Sequence, residues 1–227
     1  MALAYDNSSS GSGLSVATVS FAHTCSGAER LLVALIGFGD GANKTISTIT
    51  YAGQAMTQVS GTATWASGWT GMVPICYLIN PPVGSNTFTV TLNAASSTIG
   101  AGVISFTGAH QTYPVVDRNV AGIFAAPPST ITIPSVAGRI VVGATMTDAD
   151  TTMTITSGTS RQTKYGLSGS HSYALGSIDG GGTISWTWTA AQQGWAINAA
   201  EIVPSIAAAA AVFNPLDSFI IQPSKNP

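Results

Sequence analysis

The chain has 227 residues, of which 45% are hydrophobic and only 7% are charged, and its formal net charge is −2. Because Lys and Arg form no cluster, the chain offers little attraction to phosphate backbones or to anionic lipid, and we expect neither nucleic acid nor a membrane as a partner. A surface so poor in charge presents little repulsion to a second copy, which favours a homo-oligomer.

Short runs rich in Val, Ile, Thr and aromatic residues alternate along the chain with clusters of Gly, Pro, Ser and Asn. This pattern predicts an all-β fold, namely an antiparallel two-sheet sandwich of about twelve strands. The predicted strands are 14–24, 29–38, 45–51, 72–80, 86–92, 98–107, 129–134, 138–147, 151–156, 171–178, 183–189 and 194–203.

The predicted strands are of two kinds. Residues 87–92 and 184–188 alternate between apolar and polar side chains, so one face of each strand is expected to be buried. Residues 31–36 and 140–144 are apolar throughout, which predicts central strands covered on both faces.

No change of composition divides the chain, so we expect one sandwich domain over residues 1–205, followed by an extended arm over residues 206–227. Residues 125–129, Ala-Ala-Pro-Pro-Ser, are expected to cross between sheets. The predicted strands at 29–38 and 138–147 each carry an Arg after a Gly-containing turn, which indicates a weak internal symmetry.

Several short motifs follow one another between residues 21 and 204 of the chain. They are Phe21-Ala22-His23-Thr24, Arg30-Leu31-Leu32-Val33, Ile49-Thr50-Tyr51-Ala52-Gly53, Tyr77-Leu78-Ile79-Asn80-Pro81-Pro82-Val83-Gly84, Ser105-Phe106-Thr107-Gly108 and Ala199-Ala200-Glu201-Ile202-Val203-Pro204. Together they resemble a jelly-roll-like β-sandwich module of bacteriophage virion proteins (head decoration or tail) and of secreted bacterial carbohydrate-binding-like proteins. The resemblance implies a surface or binding role and carries no catalytic residues.

Residues that commonly carry chemistry are few and scattered. The three histidines lack metal-ligand spacing, and only two Glu residues are available as paired acids for hydrolysis. We therefore expect no enzyme activity, no cofactor and no metal. Cys25 and Cys76 lie among apolar residues, which favours buried free thiols over a disulfide. Glu201 lies in an apolar strand and needs a cationic partner, either Arg30 or Arg139.

The predicted arm is rich in apolar side chains that follow a finished strand pattern. Its expected partner-binding residues are Val212, Phe213, Leu216, Phe219, Ile220 and Ile221. Burying each would contribute roughly 1.5–3 kcal/mol, whereas fixing each backbone residue of the arm costs on the order of 1–2 kcal/mol. An ordered arm therefore also needs a sheet edge or a tethered neighbour. The alternative is that the arm packs on its own sandwich.

Four of the five Trp residues fall into two contrasting pairs. Trp65 and Trp69 lie in a stretch rich in Gly, Ser and Thr, which predicts an exposed contact loop. Flat aromatic faces in such a loop are suited to stacking on sugar rings, so a glycan is a candidate partner. Trp186 and Trp188 follow the two-residue period of one strand and are expected in the core.

These expectations combine into one functional hypothesis. We expect a non-enzymatic structural protein of a bacteriophage virion, specifically a capsid decoration (head-stabilising) protein whose arm binds the major capsid protein, other virion subunits or neighbouring copies. Residues 1–13 lack the basic and apolar regions of a secretory signal, which favours a virion protein made in the host cytoplasm over a secreted one. The alternatives are a tail or fibre adhesion protein and a carbohydrate-binding module.

Overall fold

The computed structural model describes residues 1–39, 44–59, 73–125, 127–133, 137–167, 171–180, 182–189 and 193–205. These residues form fifteen antiparallel strands and no helix, which confirms the all-β antiparallel sandwich. Within these ranges, nothing helical is long and apolar enough to cross a membrane. The strands are β1 (Ala4–Cys25), β2 (Leu31–Gly39), β3 (Ile46–Tyr51), β4 (Gln54–Ala55), β5 (Thr57–Val59), β6 (Ile75–Ile79), β7 (Gly84–Thr107), β8 (Val115–Ala125), β9 (Ser129–Ile133), β10 (Ile140–Thr147), β11 (Thr154–Ser157), β12 (Thr159–Leu167), β13 (His171–Asp179), β14 (Gly182–Thr187) and β15 (Gln193–Ile202).

Three sheets of seven, five and three strands build four layers, rather than the two sheets expected. The largest sheet contributes two layers because β1 and β7 are long, bent and paired along both of their halves. The bend brings Gly11 against the ring of Phe21 on the same strand. Layer 1 has the order β4-β3-β7-β1 and contains residues 84–92 of β7 and residues 18–25 of β1. Layer 2 has the order β1-β7-β2-β6-β5 and contains the other halves of β1 and β7. Layer 3 is β12-β13-β10-β15-β8, and layer 4 is β11-β14-β9.

A hydrophobic cluster fills each of the three spaces between layers. Every residue of β2 and β10 is buried, because these strands lie in the middle of the two inner layers. Leu31, Val33 and Leu35 face layer 3, while Leu32 and Ala34 face layer 1. The prediction of two central strands covered on both faces is confirmed.

The two halves of the chain repeat the same strand order. Layer 2 runs β1-β7-β2-β6-β5, and layer 3, taken from its other edge, runs β8-β15-β10-β13-β12. The register repeats as well: Leu31 of β2 pairs with Ile79 and Phe106, and Ile140 of β10 pairs with Asp179 and Ile202. In each half the first strand lies beside the last, as in a jelly roll. The symmetry expected from the two Arg-containing segments is therefore present throughout the fold.

The two halves also point in the same direction. At the end of β2, Gly37 lies against Met146 near the end of β10, and Gly39 lies against His171. We call this the upper end of the molecule. The opposite, lower end contains the starts of both central strands, where the Arg30 carbonyl accepts from Asn80 N at 2.8 Å. The equivalent carbonyl, that of Arg139, accepts from the amide nitrogen of Gly180 at the same distance.

Candidate interaction surfaces

The contact residues predicted from the sequence lie outside the described residues. This applies to Trp65 and Trp69 and to the six apolar residues of the arm, Val212, Phe213, Leu216, Phe219, Ile220 and Ile221. Trp186 and Trp188, by contrast, are 0% and 5% exposed, so their predicted place in the core is confirmed.

The arm follows Ser205, which is held at the lower end. Ser205 N donates to the carbonyl of Gly108 at 2.7 Å. Its hydroxyl donates to the Glu29 carboxylate at 2.8 Å, and the amino group of Met1 lies 3.0 Å from the same hydroxyl oxygen. The hydrogen bond from Ser205 lowers the pKa of Glu29 below its usual value. The first and last described residues are thus joined at one surface of the protein.

The Trp-containing segment, residues 60–72, connects β5 to β6, and the facing ends of these two strands lie level with Leu35 in the middle of β2. Val59 pairs with Ile75, and the carbonyl of Val73 accepts a hydrogen bond of 2.6 Å from the Asn198 side chain. In the second half, only residues 168–170 connect the equivalent strands, so the Trp-containing segment is an insertion specific to the first half. Leu35 is four residues from Leu31, so the segment leaves β5 about 13 Å above the start of β2.

Both outer faces of the stack are covered by hydroxyl groups. On layer 1, Thr18 bonds to Thr91 at 3.0 Å and Ser20 to Thr89 at 2.8 Å across paired strands. Layer 4 has the same arrangement, with bonds of Thr132 to Thr183, Thr130 to Ser185 and Thr156 to Ser185. The strands of these two faces carry no charged residue. The strands of both outer faces therefore form uncharged, hydrogen-bonding surfaces.

A polar cluster lies between layers 1 and 2. His23, which is 1% exposed, lies 2.9 Å from the Ser9 hydroxyl through Nδ1 and 3.1 Å from the Ser105 hydroxyl through Nε2. Ser105 donates to Asp6 at 2.7 Å, and Ser26 N donates to the same carboxylate at 2.9 Å. Sequence reasoning missed this cluster. His23 occupies a strand position whose side chain faces the core, and a polar residue at such a position is a signal that could have indicated a buried polar contact.

The connection Ser9–His23–Ser105–Asp6 has the form of a proton relay, but its electrostatics do not suit general-base catalysis. Burial lowers the pKa of His23 to about 4, despite the nearby Asp6 carboxylate, so its imidazole is a weak base. Burial alone would raise the pKa of Asp6, but the hydrogen bonds from Ser26 and Ser105 outweigh it and hold the pKa below its usual value. The cluster therefore stabilises a neutral His23 that bridges two layers.

The other residues singled out from the sequence, Cys25, Cys76 and Glu201, are buried. Cys25 and Cys76 are buried free thiols, as predicted, and burial raises the pKa of Cys76 to about 12. Glu201 is fully buried and pairs with Arg139, whose Nη1 lies 2.5 Å from Oε2, so the second of the two candidate arginines is the partner. In the described ranges, no three His, Cys, Asp or Glu residues are placed to hold a metal ion.

Comparison of this chain with protein-family models, with curated proteins and with solved structures gave no match.

Proposed function

We propose that this protein is a non-enzymatic structural protein of a bacteriophage virion, a capsid decoration protein that binds the shell and neighbouring subunits through its C-terminal arm. The observation that carries the proposal is the separation of two attachment points. The arm follows Ser205 at the lower end, whereas the Trp-containing segment follows Val59, which is level with Leu35 and about 13 Å further along β2 than Leu31. A protein that attaches at one end and presents a surface away from it needs this separation.

The rigidity of the stack supports the same function. The two central strands are buried on both faces, and three hydrophobic clusters hold the four layers together. Jelly-roll sandwiches occur among viral capsid proteins and lectins, so the fold is compatible with this role by analogy. A stiff body on a tether reduces the entropy lost when many copies are ordered on a shell.

The composition of the outer faces also favours close packing on a crowded surface. Because the strands of layers 1 and 4 carry only uncharged residues, copies that lie side by side bring no like charges together there. Multiple weak contacts of this kind add to the binding of the arm, since a tethered neighbour is present at high effective concentration.

Removal of the arm tests the proposal. We expect full-length protein to associate in light scattering and to bind purified shells of the encoding phage, whereas a chain ending at Ser205 is a monomer that does not bind. Both should unfold cooperatively at similar midpoints, because the described strands end before the arm. Phe213→Asp with Phe219→Asp in the full chain should reproduce the truncation, and Lys225→Ala serves as a matched control. Shell binding by the truncated chain would refute the proposal.

The two Trp residues of the Trp-containing segment favour a carbohydrate-binding module as the second candidate. Because the flanking residues Val59 and Ile75 are level with Leu35 and away from Ser205, a glycan there would not meet the residue from which the arm starts. Trp65→Ala with Trp69→Ala should abolish glycan binding and leave shell binding unchanged. Loss of several kcal/mol of stability, about 3–5 for each buried aromatic, would instead identify both as core residues.

A further inference from the structure

A groove of about 300 Å³ lies along the edge of layer 1 that β3 and β4 form. One wall is β3, through Ile46, Ser47 and Ile49, and the other is the chain that passes from β4 to β5, through Met56 and Gln58. We call this site the edge groove.

The backbone of β3 is covered on its outer side only towards the lower end. There β4 pairs with Thr50 and Tyr51, and Met56 N donates to the Ile49 carbonyl at 3.0 Å. Residues 46–48 pair with β7 on one side, and none of the described strands pairs with their other side. A sheet edge that is open in this way can receive an added strand.

The walls of the edge groove include residues that have no counterpart in the second half. Layer 4, in the order β11-β14-β9, repeats the order β3-β7-β1 of layer 1. Gly158 alone connects β11 to β12, whereas residues 52–56 connect β3 to β5. These additional residues contain β4 and Met56, so the edge groove is a feature of the first half rather than a general consequence of the duplicated fold.

The chemistry of the edge groove suits an apolar, extended peptide. Ile49 and Met56, which are 6% and 7% exposed, line the groove and belong to the hydrophobic cluster between layers 1 and 2. An apolar side chain that enters the groove therefore extends this cluster. Residues 46–58 include no charged residue. An added strand would gain backbone hydrogen bonds from β3 and specificity from alternate side chains that face the groove.

The C-terminal arm contains one stretch with these properties. Seven residues, Leu-Asp-Ser-Phe-Ile-Ile-Gln, separate Pro215 from Pro223, and none of them is a proline that would prevent backbone pairing. In an extended conformation Phe219 and Ile221 project from the same face. Ser218 is thirteen residues beyond Ser205, so the two can lie up to about 45 Å apart.

The arm starts at the edge of the sandwich opposite the edge groove. Ser205 is hydrogen-bonded to Met1, which directly precedes β1. β1 forms one edge of layers 1 and 2, and β4 and β5 form the other. Copies that lie side by side therefore bring the start of one arm beside the groove of the next copy. Contacts of this heterologous kind repeat from head to tail and close into a ring where the rotation permits.

We propose that the edge groove binds residues 218–221 of the arm of a neighbouring copy as an added strand. Its two side chains on the inner face, Phe219 and Ile221, enter the groove and extend the cluster between layers 1 and 2. This inference rests on the proposed role of the arm in association, and it names the surface that receives the arm.

Complementation between two full-length variants tests the proposal. Ser47→Glu with Gln58→Glu places two carboxylates on exposed positions of the groove walls. It should weaken self-association about tenfold or more, because a carboxylate covered by the arm loses its water. Phe219→Asp with Ile221→Asp should weaken self-association as strongly from the side of the arm. Mixed in equal amounts, the two variants should form a complex of two chains in light scattering, since one keeps its arm and the other its groove.

A matched control separates the groove from a general effect of added charge. Thr152→Glu with Ser160→Glu adds the same charge at two exposed positions of the second half and should associate as the wild type does. All three variants should unfold at the thermal midpoint of the wild type, because none of them replaces a buried side chain of the sandwich.

A peptide with the sequence of residues 214–224 measures the contact directly. Titrated into the Phe219→Asp, Ile221→Asp variant, whose groove is intact, it should bind with a Kd on the order of 10–100 μM. The largest amide shifts should fall on residues 46–49 and 55–58. The same peptide with Asp at both apolar positions should not bind.

The possible results separate this site from the role of the arm. The proposal is wrong if the groove variant associates as the wild type does, if the mixture remains monomeric because each arm fills its own groove, or if the peptide shifts a different edge. A groove variant that associates while the arm variant does not would refute the edge groove and leave the role of the arm intact. Wild-type association by the arm variant would refute both.

Discussion

Ser105 and Glu201 occupy the same position in the two halves of the molecule. Ser105 pairs with Leu32 of one central strand, and Glu201 pairs with Val141, the equivalent residue of the other. Both are fully buried, but their partners differ: Ser105 joins the cluster of His23 and Asp6, whereas Glu201 binds Arg139. One fold thus tolerates a hydrogen-bonded network or an ion pair at the same place, provided that each polar group is bonded.

The buried ion pair should be asymmetric in its effect on stability. Replacing Arg139 by Leu leaves the Glu201 carboxylate buried without this partner, which costs on the order of 3 kcal/mol. Glu201→Leu should cost less, because Arg139 is 29% exposed and can turn to water. Urea unfolding of both variants and of the double variant measures the difference. Equal losses in the two single variants would contradict this account.

The His23 cluster should make the folded state sensitive to mild acid. In the folded protein the pKa of His23 is about 4, compared with about 6.5 in an unfolded chain. Between these values only the unfolded chain takes up a proton, so stability present above pH 6.5 is lost as the pH falls to 4. The full effect is about 3 kcal/mol at most. Asp6, whose pKa is lowered, adds a further loss below its unfolded value of 3.8.

Substitution of His23 provides the control for this pH dependence. His23→Ile introduces the residue that the second half has at the equivalent position, Ile131, and removes the titrating group. We expect thermal midpoints of the variant to be nearly constant from pH 6.5 to pH 4, whereas the wild type falls. Identical slopes for the two proteins would show that other groups dominate acid unfolding.

The interface between the halves should be sensitive to single methyl groups. Tyr173 is fully buried, and its hydroxyl donates to the carbonyl of Leu35 at 2.8 Å. A Cβ at Gly100 would lie 3.0 Å from the Tyr173 Cβ and Cγ atoms. Gly100→Ala should therefore cost about 1–3 kcal/mol, and Tyr173→Phe about 1 kcal/mol. Combining Gly100→Ala with Tyr173→Leu should restore part of the loss in guanidinium unfolding.

The turn between β3 and β4 offers a stabilising substitution. Ala52 and Gly53 connect the paired residues Tyr51 and Gln54, with φ of 51° and 74°. Both angles are those of the hairpin turn that favours Asn-Gly. Ala52→Asn should therefore stabilise the protein by about 0.5–1 kcal/mol, and Gly53→Ala should destabilise it by about 1 kcal/mol. A higher melting midpoint for Ala52→Asn and a lower one for Gly53→Ala would confirm both expectations.

The sequence predicted strands best where side-chain pattern and burial agree. The central strands and the alternating segments were found because their apolar residues face one or two cores. Residues 86–92 and 98–107 were predicted as two strands, but they form the single bent strand β7. The polar residues between them resemble a turn, yet the strand continues through it.

Strands with polar sequences escaped prediction. The first half of β1 is rich in Ser and Gly, and β12 contains Arg161 and Gln162, so neither shows an apolar period. The duplication was noticed in the sequence at Arg30 and Arg139, whereas equivalent positions such as Ser105 and Glu201 hold different residue types. The partners of His23 could not be predicted, since they are far apart in sequence and meet only through the bend of β1 and its pairing with β7.

The hydroxyl-covered outer faces imply an unusual response to ions. Simple salt acts on charged surfaces by screening, with a Debye length of about 8 Å at physiological ionic strength. On the strands of layers 1 and 4 there is no charge to screen. Sodium chloride should then leave contacts through these faces nearly unchanged, whereas sulfate, which is excluded from protein surfaces, should strengthen them.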